Sequence, residues 1–259
     1  MLEICIDLSG LLYLCIKYNT KNMKGTLEEA INAAINTFKQ NELAFLALQG
    51  KIELQLRDKI AWYLEQNLPE RVEYVRKEFG IKHLGLKDPE LKKDYNLSNR
   101  SKCDLALLDN ELKPICLIEF KAHSCALYDK NYLQACKDDI AKMNSMEKVL
   151  KNQLGMQSIK KLYVFFQTTH TGPAFPNELT QNNMGNILIT YYDIVKRGYD
   201  DLKNSGQSAS EFIKEQWEKK AGYNQFDVTG SFSHQENSAG IYYRLDVKIH
   251  SMIIECVNK

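Results

Sequence analysis

The chain has 259 residues, enough to bury a sizeable core as one domain or as one domain with an appendage. Lysine and arginine number 34 against 33 aspartate and glutamate, a formal net charge of +1, so a globally basic nucleic-acid binder is excluded and any basic footprint must be local. Seven cysteines with no CxxC pair, and no secretory leader, point to reduced thiols in a cytoplasm rather than a disulfide framework or zinc site, and no apolar run reaches membrane-spanning length.

Residues 2 to 18 admit two readings. Leu8, Leu11, Leu12, Cys15 and Ile16 fit a helical stripe, while residues 2 to 6 fit a short strand. Thr26 through Glu29 reads as a capping box that opens a helix with Leu27, Ala30, Ile31, Ala34, Ile35 and Phe38 on its apolar face. Residues 42 to 66 predict one long helix, its buried stripe made by Phe45, Leu48, Ile52, Leu56, Ile60 and Tyr63. Glu53 sits beside that stripe and needs a partner. Arg57, at i+4, is the ordinary one; the alternative turns Glu53 toward a metal site. Glu42 and Glu65 are weaker candidates, and Gln49 lies one turn back on the same side.

Leu68-Pro69 ends that helix, and residues 71 to 79 form a strand or a short helix. Residues 80 to 102 read as loop. Lys82, Lys87, Lys92, Lys93, Arg100 and Lys102 outnumber Asp88, Glu90 and Asp94 there, with His83 and Tyr95 interleaved. This best local basic stretch is either a phosphate-contacting loop or a solvated surface; its adjacency to residue 104 favours the former.

Residues 103 to 123 carry the chemistry. Two apolar strands, 103 to 108 and 115 to 121, flank a polar turn at 109 to 114. Asp104, Glu119 and Lys121 break the apolar pattern. With Leu108 paired to Ile115, counting places Asp104 opposite Glu119, their Cβ atoms roughly 4.5–5.5 Å apart. Lys121 then shares the face of Glu119. Buried carboxylates need neutralising, and hard oxygen donors with open positions suit Mg²⁺. Lys121 is placed to orient a water. The plain alternative has Asp104 starting a strand, with Glu119 and Lys121 as edge-exposed neighbours.

His123 continues the same strand face. A helix follows near 131 to 151, with Leu133, Cys136, Ile140, Met143 and Leu150 inward and Lys137, Lys142, Lys148 and Lys151 on the exposed side; Gln134 lies near its start, and Asp139 reads as an ordinary surface residue. Residues 161 to 167 and 187 to 192 predict buried strands. The long loop between them carries amides, at Gln167, Asn177, Gln181, Asn182 and Asn183, of the kind that pair with adenine. Short helices are expected at 193 to 203 and 210 to 220, a loop at 222 to 240, and one long strand at 241 to 254. His234 and His250 lack ligand spacing and are assigned no metal.

Asp104 opening one strand and Glu119-Phe120-Lys121 in the next resemble the PD-(D/E)XK nuclease superfamily, which includes many restriction endonucleases. Cys103 departs from the Pro often found at that place. The resemblance covers residues 45 to 195 in order of elements. It implies an α/β (α+β) fold with a central mixed sheet flanked by helices, and Mg²⁺-dependent hydrolysis of DNA phosphodiesters. It implies further that Asp104, Glu119 and Phe120 hold the metal, and that Lys121 and Glu53 complete the catalytic set. Lys92, Lys93, Arg100, Lys102, His123 and Gln134 are then the DNA-facing residues. The expected organisation is one domain: a helical packing segment at 1 to 40, a core at 41 to 195, and a sheet extension or small appendage at 196 to 259. The expected function is that of a cytoplasmic type II restriction endonuclease on double-stranded DNA, acting alone or as a homodimer. A repair or mobile-element nuclease shares the chemistry. A non-catalytic DNA- or protein-binding module that keeps the fold is the alternative from another class.

Overall fold

A computed structural model describes residues 3–6, 12–15, 23–39, 41–69, 71–123, 130–156, 159–171, 201, 203–208, 211, 212, 215, 233–242 and 245–256. The N-terminal segment resolves its two readings as strands: β1 (Glu3–Ile6) and β2 (Leu12–Cys15) pair antiparallel. Next come α1 (Met23–Asn36), α2 (Glu42–Leu48) and α3 (Ile52–Gln66). Leu27, Ala30, Ile31, Ala34 and Ile35 are buried along α1 as the stripe predicts, but Thr26 lies inside the helix, which starts at Met23 rather than at a Thr26 cap.

The single long helix expected at 42 to 66 is two helices. Gly50 adopts φ 65, a left-handed backbone that breaks the ladder and that glycine adopts without steric cost. The break redirects the chain, so Phe45 ends 41% exposed while Leu48, Ile52, Leu56 and Ile60 stay in the core.

Among the described residues the main sheet has six strands in the order β3-β4-β5-β6-β8-β7: β3 (Tyr74–Gly80), β4 (Lys102–Leu108), β5 (Pro114–His123), β6 (Lys160–Thr171), β7 (Ser233–Tyr242) and β8 (Leu245–Glu255). Among the described residues only β5 and β6 run parallel; the long helix α5 (Lys130–Leu154) lies between them in sequence, as a parallel crossover requires. The fold is therefore an α/β mixed sheet. Successive residues of β6 feed opposite cores: Leu162, Val164 and Phe166 pack with α1 to α3, and Tyr163 and Phe165 with α5.

Several segments differ from expectation. Residues 80 to 102 contain a 3₁₀ turn (Lys82–Leu84) and α4 (Asp88–Tyr95), whose first turn carries a proline where the missing N–H costs nothing. The tail is a hairpin, β7 with β8, rather than a loop at 222 to 240 followed by one strand, and it extends the sheet. The strand near 187 to 192, and most of the loop and helices expected between 172 and 220, lie outside the described residues. Among the described residues, no helix is long and apolar enough to cross a membrane.

Candidate active site and nucleic-acid groove

The hairpin of β4 and β5 begins at its turn. Asp109 Oδ1 accepts the backbone N–H groups of Glu111 and Lys113, both at 2.9 Å, closing the loop on a side chain. An irregularity between Leu107 and Leu108 makes Leu108 pair with Pro114, not Ile115. The interior register nevertheless follows the count: Leu105 faces Ile118 and Ala106 faces Leu117. One step further, Asp104 meets Glu119. The backbone N–H of Asp104 donates to Glu119 Oε2 at 3.4 Å, and that of Phe120 donates to Asp104 Oδ2 at 2.9 Å. A carboxylate here takes an amide that a carbonyl of β4 would take in an unbroken ladder.

Two helices close on this point from opposite faces. From α3, Glu53 Oε2 accepts the Ala122 N–H at 2.8 Å, so Glu53 faces the site and does not pair with Arg57. Arg57, one turn on, reaches Asp104 Oδ1 at 3.3 Å and Asp58 Oδ1 at 3.3 Å. From α5, Lys142 Nζ lies 2.7 Å from Glu119 Oε1 and 3.5 Å from Asp139 Oδ1. Lys121 Nζ is 3.2 Å from Asp139 Oδ2. Two expectations are corrected. Asp139 is not an ordinary surface residue, and Lys142 is not on the exposed side of its helix. The signal was present: Asp139 falls between Cys136 and Ile140 in the i, i+3, i+4 stripe, and Lys142 is three residues further on. Lys151 also turns back, to Glu147 at 2.8 Å, while Glu147 pairs with the buried Lys161 at 2.6 Å.

Four carboxylates, Glu53, Asp104, Glu119 and Asp139, thus meet three cations, Arg57, Lys121 and Lys142. Glu119 is 5% exposed, and burial, then the charge of Asp104, push its carboxyl up to about 8 against the pull of Lys142. Burial likewise raises Glu53, opposed by the Ala122 amide and by Lys121. Lys121 holds its proton more tightly than usual: desolvation works against the charge, but Asp139 and Glu53 outweigh it. Cys103, at the position often held by Pro, is a buried thiol pushed well up by burial and by Glu119, and its Sγ lies 3.0 Å from the Ile118 carbonyl oxygen. That leaves it no character as a nucleophile.

Among the described residues, no three His, Cys, Asp or Glu side chains are arranged to hold a metal ion. Asp104, half-buried, and Glu119, buried, supply hard oxygen donors side by side, which is chemistry that fits a divalent cation. The Phe120 ring is buried in the α1 to α3 core, stacked on Phe166 with centroids 6.3 Å apart, so only its backbone could serve a metal.

Beside the site, the edge of β3 and β4 frames an open groove of about 980 Å³ lined by Arg76, Glu78, Gly80, Lys82, Asn99, Arg100 and Lys102. The expected basic residues divide here. Arg100 and Lys102 line the groove; Lys92 and Lys93 sit exposed in the last turn of α4, outside its lining. Arg76, on β3, was missed because its strand lay outside the basic run. Gln134 is exposed and donates to Asp138 on its own helix at 2.8 Å. His123 ends β5, and its side chain lies outside the described residues. On the far strands, His234 Nε2 and His250 Nδ1 are 3.1 Å apart, and Thr169 Oγ1 holds His250 Nε2 at 2.8 Å. No family model, no curated protein and no solved structure matches this chain.

Proposed function

We propose that the protein is a Mg²⁺-dependent endodeoxyribonuclease that hydrolyses phosphodiester bonds of double-stranded DNA, with a cytoplasmic type II restriction endonuclease as its most specific form. The observation that carries this reading is the convergence of Asp104 and Glu119 from adjacent strands into one buried, acid-rich place, with Lys121 and Glu53 at its rim. Asp104, Glu119 and the backbone of Phe120 are the groups suited to hold the ion. When bound, Mg²⁺ lowers the pKa of a coordinated water and stabilises charge developing on the phosphoryl group.

The protein's own residues do the rest. Lys121 stays protonated, steered by Asp139, and presents an N–H donor to the attacking water or to a phosphate oxygen. Glu53 accepts the Ala122 amide through one oxygen, which fixes the end of β5 beside the site. Arg76, Lys82, Arg100 and Lys102 offer phosphate contacts along the groove, and Lys102 stands two residues before Asp104 on β4.

One observation favours a second reading. Every oxygen of Asp104 and Glu119 already has a protein donor, as expected of a non-catalytic module in which the acids serve only as ion-pair partners. Plasmid incubated with the purified chain and Mg²⁺ separates the two. Discrete fragments, abolished by a chelator, support a restriction enzyme; a smear supports a nonspecific nuclease of repair or mobile-element type. Intact plasmid over a range of sequences and divalent ions removes the nuclease reading in favour of the binding module.

A further inference from the structure

We propose that Lys142 is a displaceable internal cation: its ammonium occupies Glu119 in the metal-free protein and moves to Asp139 when a divalent ion arrives. The inference rests on the reading of Asp104 and Glu119 as metal-holding residues, and it explains how a site whose oxygens are all engaged can accept an ion.

The four oxygens have four different donors. Two are backbone amides: that of Phe120 on Asp104 Oδ2 at 2.9 Å, and that of Asp104 on Glu119 Oε2 at 3.4 Å. Strand geometry fixes these. The other two are side-chain cations, Arg57 on Asp104 Oδ1 at 3.3 Å and Lys142 on Glu119 Oε1 at 2.7 Å. Arg57 is tethered on its other side by Asp58. Lys142 makes the shortest of the four contacts, so it is the main obstacle at Glu119.

Lys142 also has somewhere to go. Asp139 Oδ1, three residues back on the same helix, is 3.5 Å from its Nζ. A change of rotamer about a flexible four-carbon stem exchanges one carboxylate for the other. Lys142 leaves without stranding a buried charge, and Asp139, which already holds Lys121 through Oδ2, gathers both lysines.

The test is Mn²⁺ titration of the full chain by calorimetry at one fixed pH, on folded wild type, Lys142→Met, Lys142→Arg, Lys148→Met and Glu119→Gln. Removing a charge-assisted competitor raises Mn²⁺ affinity about tenfold in Lys142→Met. Lys142→Arg restores weak binding. Lys148→Met removes an equal charge from the exposed side of the same helix and changes affinity less than about threefold. Unchanged or weaker binding by Lys142→Met overturns the proposal. So does an equal gain in Lys148→Met, because that would show general charge rather than occupancy of one oxygen. If Lys142→Met does not fold, Asp139→Asn carries the test: with the negative charge of its second acceptor gone, Lys142 stays on Glu119 and affinity drops, and an unchanged affinity overturns the idea. The underlying metal reading fails separately, when wild type binds no Mn²⁺ or Glu119→Gln binds as tightly as wild type.

Discussion

Burial sets the chemistry of Glu119. Its carboxyl is raised from 4.5 to about 8, first by desolvation and then by Asp104. Between those two values the folded protein keeps a proton that the unfolded chain has released. The resulting stability is complete below about pH 4.5 and is lost as pH rises through about 8. In metal-free protein, stability should therefore fall by roughly 2 kcal/mol between pH 6.5 and 8, read as a drop of several degrees in melting temperature. Glu119→Gln should flatten that slope; an equally steep slope in the variant would assign it to other groups. Lys121 tests catalysis at the same scale. Lys121→Ala should lower cleavage by about two orders of magnitude or more while leaving DNA binding in Ca²⁺ near wild type. Wild-type cleavage by the folded variant would make the Glu-Phe-Lys triplet a coincidence.

Elements decide which of these groups can meet. The break at Gly50 lets α3 start afresh and bring Glu53 and Arg57, one turn apart, to the ends of β5 and β4. An unbroken helix would keep α2 and α3 on one axis. On the proposed reading the β3–β4 pair works in the same way for DNA: the register sets Arg76 opposite Ala106 and Gly80 opposite Lys102, and Arg76, Gly80 and Lys102 line the groove. Each phosphate-neutralising side chain contributes roughly 0.9 to the salt slope on duplex DNA. Replacing Arg76 and Arg100 with Ala should lower the slope by about 2 and weaken all sequences alike, whereas Lys92→Ala with Lys93→Ala should leave it nearly unchanged. The reverse result in filter binding across a salt series would move the contact surface to α4.

At the scale of the molecule, the sheet depends on its last two strands. β8 pairs along nearly all of β6 and contributes Val247, Ile249 and Ile253 to one core and Met252 and Ile254 to the other. Gly240 seals this hairpin against the helices: at φ 97 its Cα side faces Asn41, and a Cβ there would lie 2.8 Å from Asn41 Oδ1, the atom that accepts the Ile241 N–H. Removing residues 233 to 259 would expose an edge of β6 and open both cores. Such a chain should lose its cooperative thermal transition by circular dichroism and, with it, metal binding. A cooperative transition in the shortened chain would show that β7 and β8 are an appendage after all.

The sequence alone carried the α/β class and the nearness of Asp104 to Glu119, because both are local. A period of two and a fifteen-residue separation across one turn leave little freedom, and even the shift at Leu108 did not move the interior register. The α1 stripe was legible for the same reason. The partners of the charged groups were not. Arg57 looked toward Glu53 four residues away, yet it pairs with Asp104, and Glu53 with the Ala122 amide sixty-nine residues on. Asp139 and Lys142 read as surface because a helical stripe does not say how deeply its flank sits against a sheet. Charges choose partners by depth and distance in three dimensions, and those follow only after α3 and α5 have packed on opposite faces of β4 and β5. Tertiary packing thus decided which cations guard the carboxylates.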